Sequence, residues 1–389
     1  MRTPAVLGGS PAFPEGLRFA RPPAPPLERV VARLAPSYER GVLTNGPLVH
    51  ELEERTADRL ACRHVVAVSS CTAGLMLALR AVEPTGPVVV PSFTFSASAH
   101  AIVWNGLAPR FAECDRDTFQ LDLADAARRL GGAGALLAVH VFGAPCAPLA
   151  TERVARDAGV PLVFDAAAAI GASSGGKPLG GFGDAEVFSL SPTKPVVAGE
   201  GGLVSTNRDD VAETVRIGRD YGNPGDYNTR FVGLNARMSE LHAAVALESL
   251  ESLDEHLATR AMLAARYRDG LSLLPGLRVQ HLADEDLPTW KDLTIAVDAE
   301  RFGLTRDELV DALRAEGIDT RRYFDPPVHR QRSHAASAPD PLPVTDTVAS
   351  SVVSLPLYRE LSPIDVDRIV SVVAELQAAG SSVAADRVG

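Results

Sequence analysis

The sequence predicts an α/β protein: a large, mostly parallel β-sheet domain flanked by helices, followed by a smaller C-terminal α+β domain. Three observations carry this reading. Short apolar β-like runs alternate with stretches of helical period from residue 47 to about residue 165, the pattern of repeated βαβ units. After residue 207 that alternation breaks, and a long amphipathic pattern over 239–274 leads into a different mixture of strands and helices. The chain has 389 residues, too many for one ordinary core, so two lobes are expected.

The elements follow in order. Residues 1–36 are rich in proline, including Pro22-Pro-Ala-Pro-Pro26, and read as an extended N-terminal arm. A helix over 47–60 carries proline at an early position, where the missing N–H is no loss. Strands over 64–68, 88–91, 110–113 and 135–140 are each followed by a helix, over 73–81, 96–104, 122–130 and 148–158. Another strand covers 160–164, and a β-like run covers 186–190. A helix over 209–219 ends in Tyr221-Gly-Asn-Pro-Gly-Asp-Tyr227, a loop with strong turn chemistry. The 239–274 pattern reads as one or two helices joining the lobes. The small lobe reads as strand 293–297, helix 305–316, strand 318–323, a Pro/His-rich loop, strand 352–355 and helix 363–378. The expected domains are therefore the arm 1–36, a large domain 37–250, a small domain 251–380 and a tail 381–389.

Composition narrows the function. Hydrophobic residues at 46% and charged residues at 22% are those of a globular protein. The formal net charge is −11 with no basic block, which argues against nucleic acid or an anionic membrane as partner. No apolar run is long enough to span a bilayer. The N-terminus lacks a signal-peptide core, so a cytoplasmic location is expected. The four cysteines show no CxxC spacing and read as reduced thiols, with neither a metal site nor a disulfide frame.

The chemistry concentrates at predicted strand ends, where open α/β sheets place their ligands. Lys194 closes Ser189-Leu-Ser-Pro-Thr-Lys194 and is followed by the glycine turn Gly199-Glu-Gly-Gly202. A lysine that forms a Schiff base needs a rigid mount and room to swing. Asp165 ends another apolar run. A carboxylate opposite such a lysine is what pyridoxal 5'-phosphate requires, because it keeps the pyridine nitrogen protonated. Asp165 could equally cap a following helix. Ser69-Ser-Cys-Thr-Ala73 joins a strand to a helix whose free N–H groups could hold a phosphate, or is a plain N-cap. Phe95 is a candidate to stack on a flat ring, or a core residue. His140 is open to either reading. Asn235 and Arg237 precede the long helix and also fit ordinary helix-start polarity. Candidates for substrate contact are Arg230 in the 223–230 loop, Arg321 and His329. Arg321 and Arg322 are adjacent on a predicted strand, so at most one faces a pocket. His329 also reads as a packing residue.

Taken together these motifs resemble the DegT/StrS-type aminotransferases, the sugar-aminotransferase branch of the fold-type-I pyridoxal phosphate enzymes. The resemblance runs from Gly8-Gly-Ser-Pro-Ala-Phe13 through Ser70-Cys-Thr-Ala-Gly74, Pro91-Ser-Phe-Thr-Phe95, Val139-His-Val-Phe-Gly143 and the lysine motif to Gly233-Leu-Asn-Ala-Arg-Met238 and Ser354-Leu-Pro-Leu357. It implies that Lys194 is the Schiff-base lysine and proton shuttle, and that Asp165 pairs with the pyridine nitrogen. Phe95 would stack on the ring, and Cys71, Thr72 and Ser189 would hold the phosphate. Asn235 would reach the phosphate of a neighbouring subunit's cofactor, making the active site a property of a homodimer. The implied reaction moves an amino group from glutamate or glutamine to a keto sugar, nucleotide-linked or cyclitol, through pyridoxamine 5'-phosphate.

Two departures stand out. Cys71 occupies a position where the family commonly has glycine; its backbone N–H is unaffected. Ala168 replaces the usual His or Gln that contacts the ring hydroxyl. That change motivates the alternative of a non-transaminating pyridoxal phosphate reaction, such as elimination, decarboxylation or cyclisation, on the same scaffold. Retention of Lys194 argues against the dehydratase variants, where histidine replaces it.

Overall fold

In chain order the large lobe contributes strands β1 (His64–Val68), β2 (Val88–Pro91), β3 (Pro109–Ala112), β4 (Ala135–Val139), β5 (Leu162–Asp165), two-residue β6 (Ser173–Ser174) and β7 (Lys177–Pro178), β8 (Ala185–Ser189) and β9 (Gly202–Thr206). The architecture is that of a computed structural model, which describes residues 2–337 and 341–380. The expected tail 381–389 lies outside the described residues. All these strands except β6 and β7 form one sheet, ordered β1-β9-β8-β5-β4-β2-β3. The pairs β2/β3, β2/β4, β4/β5 and β5/β8 are parallel. Strand β9 runs antiparallel to both β1 and β8.

The sequence did not reveal β9. Gly202 opens it and Ser205-Thr206 closes it, so its apolar run is only Leu203-Val204, too short to read. Gly202 is required where it stands: a Cβ there would come within 2.7 Å of the backbone N of Cys71. The glycine lets β9 lie against the start of the next helix.

Helices cover both faces of the sheet. The large lobe's helices are α1 (Leu27–Glu39), α2 (Pro47–Leu60), α3 (Cys71–Val82), α4 (Ser96–Trp104), α5 (Leu123–Arg129), α6 (Pro148–Asp157), α7 (Asp209–Gly218) and α8 (Glu240–Glu251), while α9 (Leu253–Leu271) runs on into the core of the small lobe. Successive residues of a strand serve different cores, as the pleat requires. Val163 and Val187 pack in one apolar cluster, while Phe164 and Phe188 pack in the other. Each buried phenylalanine contributes about 2–3 kcal/mol of transfer free energy. The expected arm is helical from Leu27 onward. Pro26 precedes the first turn of α1, so the proline run ends where a helix can begin. The 239–274 pattern is two helices, parted at Ser252.

The small lobe holds β10 (Leu277–Val279), β12 (Leu293–Val297) and β13 (Val352–Leu355) in a three-stranded antiparallel sheet. Strand β11 (Asp286–Leu287) instead pairs with β6. Four helices follow: α10 (Ala299–Phe302), α11 (Arg306–Ala315), α12 (Pro343–Ser351) and α13 (Pro363–Ala378). Capping boxes at Thr305/Glu308 and Ser362/Asp365 start α11 and α13, each stabilising its helix by roughly 1 kcal/mol. The strand expected over 318–323 forms only two isolated bridges, Leu17–Ile318 and Arg321–Ser354. Beyond Arg321 the chain leaves the sheet because Tyr323 and Phe324 turn into an aromatic cluster with Phe93 and Phe142.

The first residues belong with this lobe. Glu316, fully buried, accepts the N–H groups of Ala5 and Ala12 at 2.7 Å each. The two lobes are joined by backbone bonds. Thr289 donates to the Gly143 carbonyl (3.0 Å), Lys291 to that of Phe142 (3.1 Å) and Val328 to that of Ser92 (3.0 Å).

Candidate active site

A cavity of about 390 Å³ opens at the carboxyl ends of the parallel strands, between the lobes. Lys194, Asp165, Cys71, Thr72, Phe95 and Ser189 all line it. Lys194 lies in the loop from β8 to β9, not on the strand itself. That loop is pinned at its base by Leu190 N–H to Gly201 O (3.0 Å) and Ala198 N–H to Leu190 O (2.7 Å). The lysine donates its own backbone N–H to Ser191 O at 3.1 Å. The mount is therefore rigid while the side chain stays free.

Asp165 ends β5 and is 4% exposed. One carboxylate oxygen accepts the Ser98 hydroxyl (2.7 Å), and the other accepts the Ala167 N–H (3.0 Å). No helix follows it, so it caps a turn, not a helix. Burial pushes its carboxyl above the usual carboxylate range. The Ser98 hydroxyl, the Ala167 N–H and the positive charge of Lys194 pull the other way. His140 acts in the same sense, but burial outweighs them all, so an ionised Asp165 gains from a further positive partner such as a pyridinium.

The first turn of α3 satisfies both readings of its motif. Ser70 is a true N-cap, its hydroxyl accepting the Ala73 N–H at 3.1 Å. The N–H groups of Cys71 and Thr72 precede any intrahelical partner and face the cavity. Burial raises the Cys71 thiol well above its usual value, so this residue offers its backbone, not a thiolate. Ser189 accepts the Ser191 N–H at 3.3 Å. Phe95 is 63% exposed at the cavity rim, which removes the core reading. These residues fit pyridoxal phosphate: orphan N–H donors for its phosphate, a buried carboxylate for its ring nitrogen, an amine for its aldehyde and a ring face to stack on.

Other candidates lie elsewhere. Arg230 is on the surface, paired with Glu213 at 2.8 Å. Arg321 sits over the Phe19 ring at 5.1 Å and pairs with Asp319. Arg322 pairs with Asp307 at 3.2 Å. His329 is buried against the Ser92 hydroxyl at 2.6 Å. None of the four lines the cavity. Asn235 is exposed beside Arg237, whose guanidinium pairs with Asp220 at 2.8 Å. His140 lines the cavity from behind Asp165, flat on Phe164 with ring centroids 4.9 Å apart. Its Nδ1 accepts the Cys146 N–H at 3.0 Å, which leaves Nε2 facing Glu186.

Several residues that line the cavity or bond to its lining escaped the sequence reading. Ser98 is a single helix serine with no motif around it. Thr289, Lys291, Asp292, Tyr323 and Phe324 arrive from the small lobe. Thr289 donates its hydroxyl to the Ala168 carbonyl at 2.7 Å. Gly143 permits that approach, since a Cβ there would collide with the Thr289 hydroxyl. One signal for Lys291 was available: the chain has only three lysines, at 177, 194 and 291, and two of them line this cavity.

The sequence model of the DegT/DnrJ/EryC1/StrS aminotransferase family matches residues 28–374. The chain belongs to this family. GDP-perosamine synthase of Caulobacter vibrioides is 34% identical over 340 residues, covering 85% of this chain and 90% of that protein. The spore coat polysaccharide biosynthesis protein SpsC of Bacillus subtilis is 31% identical over 366 residues, covering 89% and 94%. Among solved structures, DesI in the presence of its TDP-sugar product superposes with a TM-score of 0.93 at 36% identity, covering 99% of each chain. The fold is that of the pyridoxal phosphate-dependent sugar aminotransferases, and the chain is an aminotransferase. Members of this DegT family depend on pyridoxal phosphate. Among the described residues no helix is long and apolar enough to cross a membrane.

Proposed function

We propose that this aminotransferase moves an amino group from L-glutamate or L-glutamine to a keto sugar carried on a nucleotide, with pyridoxal phosphate held by Lys194. One observation carries the reading: Asp165, at the end of β5, and Lys194, in the loop after the neighbouring β8, face one cavity with the unpaired N–H groups at the start of α3. The names of the relatives, a GDP-sugar synthase and an enzyme with a TDP-sugar product, support the acceptor class.

When bound, the cofactor supplies an electron sink for charge that develops on the substrate carbon. The protein's residues do the rest. Asp165 holds a proton on the ring nitrogen through its carboxylate. The Cys71 and Thr72 N–H groups, with the dipole of α3, bind the phosphate. Lys194 Nζ would hold the cofactor through its aldehyde and, as a free amine, would serve as the base that takes the proton from the amine-bearing carbon of the donor. Phe95 covers the ring face.

The active unit in this reading is a homodimer, with Asn235 reaching the partner's phosphate site. Tyr227 and Val232, at 93% and 96% exposed, flank that segment with apolar surface suited to a partner. Light scattering should report twice the chain mass; a monomer with full activity would remove this part.

The test of the function is the visible spectrum. The purified protein should be yellow, and L-glutamate or L-glutamine should bleach it with release of the keto acid. A yellow protein that ignores both donors would favour a non-transaminating reaction.

A further inference from the structure

The second lysine of the cavity has no role in the scheme above. Lys291 is 7% exposed and Asp292 is 9% exposed, yet both line the cavity. Lys291 Nζ donates to Asp292 Oδ1 at 2.7 Å. An ammonium has three N–H vectors, and the other two meet no protein acceptor among the described residues. Desolvation lowers the pKa of this amine, Asp292 raises it, and Lys194 nearby lowers it.

The backbone beneath Lys291 is held from both lobes. Its N–H donates to Phe142 O at 3.1 Å, and Thr289, two residues before, donates to Gly143 O at 3.0 Å. From α9, the buried Arg260 sends Nη1 to the carbonyls of Trp290 (3.1 Å), Lys291 (3.2 Å) and Leu357 (3.1 Å). A charged arginine spent on three carbonyls is a costly mount, and it fixes the peptide from which Lys291 projects. Asp292 also acts electrostatically on Arg260, so its charge is shared between two cations and does not cancel Lys291 alone.

Among the described lining residues, Lys194 and Lys291 are the only lysines or arginines. Lys194 is committed to the cofactor. The two substrates of transamination differ in what they ask of the remaining cation. An α-amino acid carries a carboxylate on the same carbon that loses the amine. A keto sugar carries no charge on or beside its carbonyl, and its phosphates lie on the far side of the ring. A buried ammonium close to the Schiff-base lysine therefore matches the donor.

We propose that Lys291 binds the α-carboxylate of the amino donor, held in position by Asp292 and by the Arg260 clamp on its backbone. This rests on the transamination reading. Two free N–H vectors suit the two oxygens of one carboxylate, and the low exposure of the site strengthens the pairing. After the amine leaves, the 2-oxo acid keeps the same carboxylate, so Lys291 would hold the first product as well.

The test uses the cofactor-loaded full chain and reads bleaching of the visible band against L-glutamate concentration. In Lys291→Met the concentration for half-maximal bleaching should rise ~10- to 100-fold, the scale of one lost charged hydrogen bond. Lys291→Arg should recover part of that loss. Hydroxylamine, which strips the lysine-bound cofactor and has no carboxylate, should react with wild type and Lys291→Met at the same rate. Unchanged glutamate dependence in Lys291→Met would overturn the assignment, and so would equal losses toward glutamate and hydroxylamine, which mark a structural role. A wild type that neither L-glutamate nor L-glutamine bleaches is a different failure. It removes the proposed function first, and this assignment with it.

Discussion

The floor and the wall of the cavity are made in different ways. The floor is built from strand ends of one sheet and the helix start beside them: Ser70 caps α3, whose first residues are Cys71 and Thr72, Asp165 ends β5 and Ser189 ends β8. The wall comes from the small lobe, through residues 289–292 and 323–324. It is held by bonds to residues distant in sequence, such as Lys291 to Phe142 and Thr289 to Ala168. The floor carries groups that any pyridoxal phosphate chemistry needs. The wall carries groups whose use depends on the substrate. Floor variants should therefore change the cofactor, and wall variants should change the substrate while leaving the cofactor's spectrum alone.

The largest effect belongs to Lys194→Ala, which should abolish both the yellow band and turnover. An active variant would break the floor assignment outright. Next is Asp165→Asn, where a neutral amide cannot hold the ring proton; turnover should fall by roughly two or more orders of magnitude. Its stability should move differently. Burial raises the Asp165 carboxyl in the folded protein, so folding of the cofactor-free chain is most favoured below the ordinary carboxylate pKa and weakens as pH rises through the raised one. Asp165→Asn removes that penalty. At neutral pH the cofactor-free variant should melt no lower than wild type, and any advantage should vanish in acid. An unchanged rate would place Asp165 outside the chemistry.

Arg260→Met tests the wall. It leaves three carbonyls without their donor, at a cost of roughly 2–4 kcal/mol to folding, and it frees the peptide that carries Lys291. Half-maximal bleaching should need about tenfold more L-glutamate, with the position of the yellow band unchanged. A shifted band with normal donor dependence would show that floor and wall are not separable.

The same division explains what could be read from the chain. Strands β1, β2 and β12 and helices α2, α4 and α13 were legible to the residue because their apolar periods are long and their ends carry punctuation such as Pro47, Pro363 and Ser362. Asp165 was legible because it closes an apolar run, and Lys194 because its Ser189-Leu-Ser-Pro-Thr-Lys194 motif follows one and precedes a glycine turn. Ser98 was not, since its value lies in a bond to a residue 67 positions away. The apolar run of strand β9 was too short, and the stretch 318–323 does not stay in a sheet because Tyr323 is taken by the aromatic cluster. Lys291 was hidden because Thr289-Trp-Lys-Asp-Leu293 forms no recognisable motif, and it was betrayed only by the rarity of lysine in an arginine-rich chain.

The smallest effect is expected where floor and wall meet. Ala168 lines the cavity, and its carbonyl accepts the Thr289 hydroxyl at 2.7 Å. Its backbone is thus tied to the wall while the residue itself lines the cavity. Ala168→His keeps the backbone bond and adds a ring that can donate to a neighbouring oxygen. Because Asp165, Lys194 and the phosphate donors are untouched, the variant should stay yellow and active, with a small shift of the band and a change in rate of about threefold or less. A band and a rate that both stay put would mean that position 168 does not reach the cofactor. A much larger loss would mean that the imidazole has pushed against Thr289 and moved Lys291, in which case the glutamate dependence should worsen in the same variant. That second result would tie the departure at Ala168 to the small-lobe wall rather than to the electronics of the ring.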